Sequence, residues 1–253
     1  MTRPPRPSAA VAPRHGVARV ISKRGIASRS EAAAWVIAGR VRVNGRAVLD
    51  PDFPVRGDVD HIEIEGIAAA PREFVAVMLN KPRGLVTTAR DERGRDTVYR
   101  CLDGADLPWL APVGRLDKAS EGLLLFCNDP QWAAQITAPE SAIGKTYHVQ
   151  IDQLADEGLL ATLRGGVVVD GERLACRSAR VLRSGARQCW LEIVLAEGRN
   201  RHIRRLLEGC GVGVARLVRI AIGPLALGTL PKGGWRRLSE AEAAALVPAL
   251  ARK

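Results

Sequence analysis

Aromatic residues fill only 4 % of the 253 positions, which argues against a recognition surface built mainly from base-stacking platforms. Cysteine is sparse and odd in number. Cys101, Cys127, Cys176, Cys189 and Cys210 include no Cys-x-x-Cys pair, which argues against a disulfide framework or a zinc ribbon. The four histidines, His15, His61, His148 and His202, lack metal-ligand spacing, so no metal is expected. Nucleotide-cofactor motifs are missing too, and no cofactor is expected. No apolar run approaches the ~18 residues of a membrane span, and the first residues lack the apolar core of a signal peptide. The expectation is a soluble, cytoplasmic protein with no membrane partner.

Positive charge is abundant. The formal net charge is +11, the pI is near 10.2, and arginine outnumbers lysine 32 to 6. A polyanionic partner is the first implication. Arginine forks suit phosphates and stack on bases, although a GC-rich genome would produce the same excess. Apolar residues, 47 % of the chain, suffice for a proper core. The length suits a small domain followed by a medium one.

Residues 1–15 carry four prolines and three arginines and read as a disordered basic tail. Val17, Val20 and Ile21 then fall at helical spacing, with Gly25 ending the turn. Ser28-Arg-Ser-Glu31 is a capping box that opens a second helix running to Gly39. Val41-Arg-Val43, Asn44-Gly45 and Arg46-Ala-Val48 form a hairpin, and 59–65 reads as a last strand. Residues 1–49 hold ten basic side chains against one acid, Glu31. Lys23, Arg24, Arg29, Arg40 and Arg42 are the candidates for gripping phosphate. A small domain over 16–66, a linker over 67–73 and a larger domain over 74–253 complete the division.

In the larger domain, Val75–Leu79 is a short buried strand, and Asn80-Lys-Pro-Arg-Gly84 ends it in a turn. Residues 87–108 read as mostly irregular. The stretch Val113–Asp129 hangs one carboxylate, Asp117, on a tight connection ahead of Gly122 and an apolar strand, Leu123–Phe126. On pattern alone, a solvated turn-former is the commoner explanation of such an aspartate. Asp129-Pro130 starts a helix with Trp132, Ala133 and Ile136 inward. Lys145–Ile151 alternates as a half-buried strand, with Lys145 and Tyr147 on one face. By default Tyr147 is a core residue. Asn200 is placed to cap a helix burying Ile203, Leu206 and Leu207. Arg201, Arg204 and Arg205 crowd its first turns, which is unfavourable by roughly 0.3–1 kcal/mol each when exposed. An anionic ligand would relieve that conflict. Ser239-x-x-Glu242 caps a closing alanine-rich helix.

Several of these segments resemble a known family. Gly114-Arg-Leu-Asp117, Ser120-x-Gly122-Leu-Leu-Leu, Asn128-Asp129, Lys81-Pro-x-Gly84, Lys145-x-Tyr147 and Gly198-Arg-Asn-Arg-x-Ile-Arg-Arg205 are similar, in order, to motifs of RsuA-type pseudouridine synthases. Those enzymes isomerise uridine in ribosomal RNA. Residues 16–65 resemble the alpha-L RNA-binding domain. The resemblance implies an α+β protein: a small basic RNA-binding domain plus a mixed, largely antiparallel sheet carrying the aspartate in a basic cleft. It implies Asp117 as nucleophile or electrostatic partner of a glycosyl intermediate, Tyr147 stacking on the target base, and Arg204 as the cation beside Asp117. Arg115, Lys145, Arg201 and Arg205 would contact RNA. Two positions depart from the pattern: His202 stands where glutamine is usual, and Leu206 where methionine is usual.

An ionised carboxylate in a dry site requires a fixed cation close by. The leading expectation is a ribosomal RNA pseudouridine synthase without cofactor, monomeric, with the large subunit slightly favoured. The alternative is a non-catalytic RNA-binding ribosome-assembly factor. A hydrolase using Asp117 lacks a clear second carboxylate or metal cluster.

Overall fold

The computed structural model of the protein describes residues 14–57, 59–67, 73–89 and 91–247. They fall into two compact units that divide between Glu73 and Phe74. Residues 1–13 of the expected tail and 68–72 of the expected linker lie outside the described residues.

The first unit runs β1 (His15–Gly16), α1 (Val17–Lys23), α2 (Arg29–Ile37), β2 (Val41–Val43), β3 (Arg46–Ala47), β4 (Pro54–Val55) and β5 (Ile62–Ile64). His15, expected to end the tail, instead pairs with Val55 and belongs to the folded unit. Ile67, expected to open the linker, packs against the same unit's apolar cluster. Val17, Val20 and Ile21 of α1 share that cluster with Ala32 and Val36 of α2. Ser28 Oγ accepts a hydrogen bond from the Glu31 amide at 3.1 Å and so caps α2. Asn44 and Gly45, at φ +49° and +79°, make the two-residue turn between β2 and β3.

The strand expected over 59–65 is shorter, because pairing begins only at Ile62. The Asp60 carboxylate accepts from the Arg56 amide at 2.6 Å and from Asn44 Nδ2 at 3.0 Å. The amides of Val59 and Asp60 both donate to the Arg56 carbonyl. A local carboxylate has captured backbone that the ladder would otherwise use.

The second unit contains β6 (Ala76–Lys81), β7 (Ala111–Val113), β8 (Glu121–Cys127), α3 (Pro130–Thr137), β9 (Lys145–Ile151) and α4 (Glu157–Gly165). It continues through β10 (Val167–Val169), β11 (Glu172–Leu174), β12 (Ser178–Ser184), β13 (Cys189–Leu195) and α5 (His202–Glu208). β14 (Val214–Ile222), β15 (Leu225–Ala226), β16 (Trp235–Arg237) and α6 (Glu240–Leu246) close it. Nine strands form one mixed sheet in the order β12-β13-β9-β14-β8-β6-β16, with β15 beside β14 and β7 beside β8. Every neighbouring pair is antiparallel except β14 and β8.

β8 is buried along its whole length because the sheet is covered on both faces there. Leu124 and Phe126 face the cluster that also holds Tyr147, Val149 and the α5 residues Ile203, Leu206 and Leu207. Leu123 and Leu125 face the opposite cluster, with Trp132 and Ile136 of α3 and Leu246 of α6. Ser239 and Glu242 complete the capping box of α6 reciprocally.

The parallel junction sets Gly122 opposite Arg219. Gly122 has φ +100°, and a Cβ there would lie 2.2 Å from the Arg219 carbonyl oxygen. Neither the dihedral nor the space admits a side chain. Gly122→Ala must force β8 and β14 apart, and the expected loss of stability is at least about 3 kcal/mol from overpacking and backbone strain together. Urea unfolding of the purified variant would read it; a loss below about 1 kcal/mol would show that the close approach is not a constraint.

Candidate active site

Lys81 ends β6, and Glu121 begins the adjacent β8. Between them in space lies the segment 114–120. Lys81 is fully buried, and its ammonium donates to three backbone carbonyls: Pro82 at 3.1 Å, Asp117 at 3.1 Å and Ser120 at 2.9 Å. Thr87 Oγ1 donates to the Leu116 carbonyl at 2.7 Å, and the Gly84 amide to the Lys118 carbonyl at 2.8 Å. Arg204 Nη2 donates to the Ala119 carbonyl at 3.3 Å. Five consecutive carbonyls, 116 to 120, are therefore each held by a donor from elsewhere in the unit. The segment is an irregular loop by shape and a fixed platform by bonding.

On this platform the Asp117 carboxylate opens into a cavity of about 250 Å³. Lys145 and Tyr147 of β9 line the same cavity and are about nine-tenths buried. Among the described residues, the Asp117 carboxylate, the Lys145 ammonium and the Tyr147 hydroxyl have no hydrogen-bond or ion-pair partner. Burial, helped by the Arg219 charge, pulls Lys145 below the ordinary lysine range. Arg219 is itself buried; its Nε donates to the Leu123 carbonyl at 2.7 Å, and its Nη2 has no partner among the described residues. Ser120 Oγ, also at the cavity, is buried without a partner among the described residues.

Arg204 is buried under the loop, held by the carbonyls of Val214 (3.2 Å) and Ala119. No ion pair within 4.0 Å joins it to Asp117. The two still interact: burial and the Arg201 charge pull Arg204 below its usual range, and Asp117 opposes them. Arg201 lines the cavity, and it occupies the cap position of α5 at φ +48° with no side-chain capping bond. The cap expected at Asn200 thus falls one residue later, where the Arg201 carbonyl accepts from the Arg205 amide at 2.9 Å. Arg205 is not brought to the cavity; it binds Glu172 Oε2 at 2.7 Å and the Val169 carbonyl at 3.3 Å in the β10–β11 hairpin. The charge crowding read from the sequence is thus relieved differently at each arginine, and only Arg201 stays at the cavity. His202 also lines it, buried, and burial lowers its pKa.

Arg115 is exposed at the rim, between this cavity and a wider hollow of about 470 Å³ lined by Thr87, Arg93, Lys118 and Asn200. In the first unit Lys23, Arg24, Arg29 and Arg42 are exposed and Arg40 is half-buried. Arg24 donates to the Gly57 carbonyl at 2.8 Å, Arg42 to that of Gly45 at 3.3 Å, and Arg29 lies 3.6 Å from Asp52. Arg40 donates to the Glu65 carbonyl at 3.0 Å and lies over the Trp35 ring. Sequence reading missed Lys81, Ser120 and Arg219 as site residues. The available signals were the motifs that contain Lys81 and Ser120, and a lysine ending a run of buried apolar residues, which ordinarily marks a partnered charge.

The family model for RNA pseudouridylate synthase matches residues 75–209, and that for the S4 domain matches residues 17–60. An uncharacterized RNA pseudouridine synthase of Rickettsia conorii is 36 % identical over 89 % of this chain and 96 % of its own length. The chain belongs to the RNA pseudouridylate synthase family. Ribosomal large subunit pseudouridine synthase B of Bacillus subtilis is 33 % identical to this synthase, over 88 % of the chain and 92 % of its own. A crystal structure of a pseudouridylate synthase superposes with a TM-score of 0.65 at 28 % identity, covering 92 % of this chain and all of that one. The synthase carries an RNA-binding S4 domain ahead of the catalytic one. No helix among its described residues is long and apolar enough to cross a membrane.

Lys81 gives the synthase two measurable properties. Lys81→Met removes the donor shared by the Asp117 and Ser120 carbonyls, and a displacement of about 1 Å in the loop costs on the order of 100-fold in rate. The expected outcome is that loss in pseudouridine formation with RNA binding retained; an unchanged rate would show that the clamp does not position Asp117. Burial also lowers the Lys81 pKa to about 8, with Asp117 opposing the shift. The unfolded chain, near 10.4, binds this proton more tightly than the folded chain does. Stability should therefore rise with pH between about 8 and about 10.4, by up to about 3 kcal/mol relative to Lys81→Met. Thermal melts of both proteins across that window would show parallel curves if the buried ammonium carried no such penalty.

Proposed function

We propose that this synthase isomerises a uridine of large-subunit ribosomal RNA to pseudouridine, with Asp117 as its catalytic carboxylate. The observation that carries this reading is the free Asp117 carboxylate, presented to a cavity by a loop whose five carbonyls are all held. Fixed placement with no competing partner is what a nucleophile or an electrostatic stabiliser requires. Lys81 and Arg204 lie close enough for Asp117 to influence their titration, and their charges favour the ionised carboxylate in return.

The target uridine flips from its stack at a cost of a few kcal/mol, and the Tyr147 ring at the cavity wall offers a face on which it can stack. Asp117 then meets C1′ as the bond to N1 breaks. Arg115 and Arg201, at the cavity with exposed side chains, suit the flanking phosphates, while the S4 domain supplies grip and register. The name of the Bacillus relative supports the large subunit as the source of the substrate.

Pseudouridine mapping of both ribosomal RNAs tests the reading, comparing cells lacking the gene, cells with it restored, and cells carrying Asp117→Ala. One large-subunit position should vanish on deletion and return with the wild-type copy but not with Asp117→Ala. RNA affinity of the purified variant should stay within about twofold of wild type, since specificity and grip lie elsewhere. Persistence of every pseudouridine in the deletion would overturn the assignment.

A further inference from the structure

Asp117, Lys145 and Arg219 all line the cavity. The Asp117 charge bears on Lys81 and Arg204, whereas the charge that bears on Lys145 is that of Arg219. Lys145 is 9 % exposed, and its ammonium has no partner among the described residues. A buried charge without a partner is costly and persists where something else supplies one. Lys145 and Tyr147 are two residues apart on β9 and point to the same face. Arg219 stands directly across from Tyr147 on β14, and a register shift follows it before Ala221. A base stacked on Tyr147 would thus bring its rim to Lys145, with the Arg219 charge behind.

We propose that Lys145, reinforced by the Arg219 charge, is a catalytic residue that stabilises the negative charge developing on the uracil as it leaves C1′. This rests on the proposed uridine isomerisation. When the N1–C1′ bond breaks, its electron pair stays with the base, giving a uracil anion delocalised over the ring and its O2 and O4 oxygens. Asp117 captures or shields the C1′ electrophile. After the ring turns, C5 donates an electron pair to C1′, the C5 proton leaves, and N1 takes up a proton. Nothing is oxidised or reduced, and no co-reactant is needed. The charge is transient and falls on the base rather than on the ribose. A fixed cation at the cavity wall beside the stacked base therefore favours the transition state over the bound substrate. Exposed Arg115 and Arg201 can meet phosphates outside, whereas the Lys145 ammonium, on a side chain 9 % exposed that lines the cavity, is reached through it.

The test uses the full-length synthase and large-subunit rRNA transcripts made with uridine or with 5-fluorouridine. Fluorine at C5 stabilises the departing anion by itself, so dependence on an external cation should shrink. In single turnovers on uridine RNA, Lys145→Met should lose about 100-fold in rate, the scale of removing one charge-stabilising donor, with RNA affinity within about twofold. On fluorinated RNA the loss of N1–C1′ cleavage, read by mass spectrometry of the digest, should drop below about tenfold. Should Lys145→Met fail to fold, Lys145→Gln carries the same comparison with a polar, uncharged side chain. The proposal is overturned if the rate stays within about threefold of wild type, if both RNAs lose equally, or if the whole effect lies in binding. A wild type that converts neither RNA would instead overturn the isomerase reading itself.

Discussion

Five successive backbone carbonyls, from Leu116 to Ser120, need donors, and no helix or strand supplies them. A loop in that position would ordinarily turn its carbonyls to water and move. Here the donors come from Lys81, Gly84 and Thr87, within one stretch of the chain, and from Arg204 far along it. Lys81 contributes most because an ammonium carries three donors on a stem long enough to stay apolar along its length. A methionine would fill similar volume and bond none of the carbonyls. The position of Asp117 follows from that bonding, and so does the floor of the cavity.

The sheet makes the arrangement possible through its single parallel junction. β8 and β14 meet where Gly122 faces Arg219, and the missing side chain lets the strands close. Arg219 is buried there, and its neighbour Val218 lies across from Glu121. Glu121 is 3 % exposed and receives Arg216 Nε at 2.8 Å and Lys232 Nζ at 2.6 Å. Burial pushes the Glu121 pKa up, but the hydrogen bonds from Arg216 and Lys232 together leave it below the usual range. One strand thus carries a fully matched acid at one residue and admits an unmatched arginine beside the next.

Much of this was legible in the sequence, because it depends on local chemistry. Ser239-x-x-Glu242, Asp129-Pro130 and Asn44-Gly45 each announce a cap or a turn through groups a few residues apart, and each forms. The alternation in β9 put Lys145 and Tyr147 on one face, as observed. What escaped depends on distance. The carbonyls that Lys81 binds in the loop lie 36 and 39 residues away, and no local pattern points to them. β12 escaped for a different reason: it packs Ala179 and Val181 inward between exposed polar residues and pairs on one side with β13, too few apolar positions for an alternation to stand out. Arg204 follows from its place in a motif as a cation near Asp117, but a motif fixes order and not which atoms a guanidinium reaches: its bonds go to the carbonyls of Ala119 and Val214.

The choice of carbonyls as partners has an electrostatic consequence. Had Lys81, Arg204 and Arg219 been buried against carboxylates, each would have been neutralised, as Arg205 is by Glu172 and Arg236 by Glu242 elsewhere in the fold. A carbonyl dipole satisfies the donors of a cation without cancelling its charge. The charges of Lys81 and Arg204 therefore remain beside the 116–120 loop and that of Arg219 at the cavity, where low dielectric lengthens their reach. Burial lowers the proton affinity of Lys81, Lys145 and Arg204, which is the thermodynamic mark of cations held without full compensation. Among the described residues Asp117 is thus left without a hydrogen-bond or ion-pair partner while cations bear on it. The same uncompensated field suits a polyanionic strand arriving at the cavity, so fixing the carboxylate and attracting the substrate are one electrostatic arrangement.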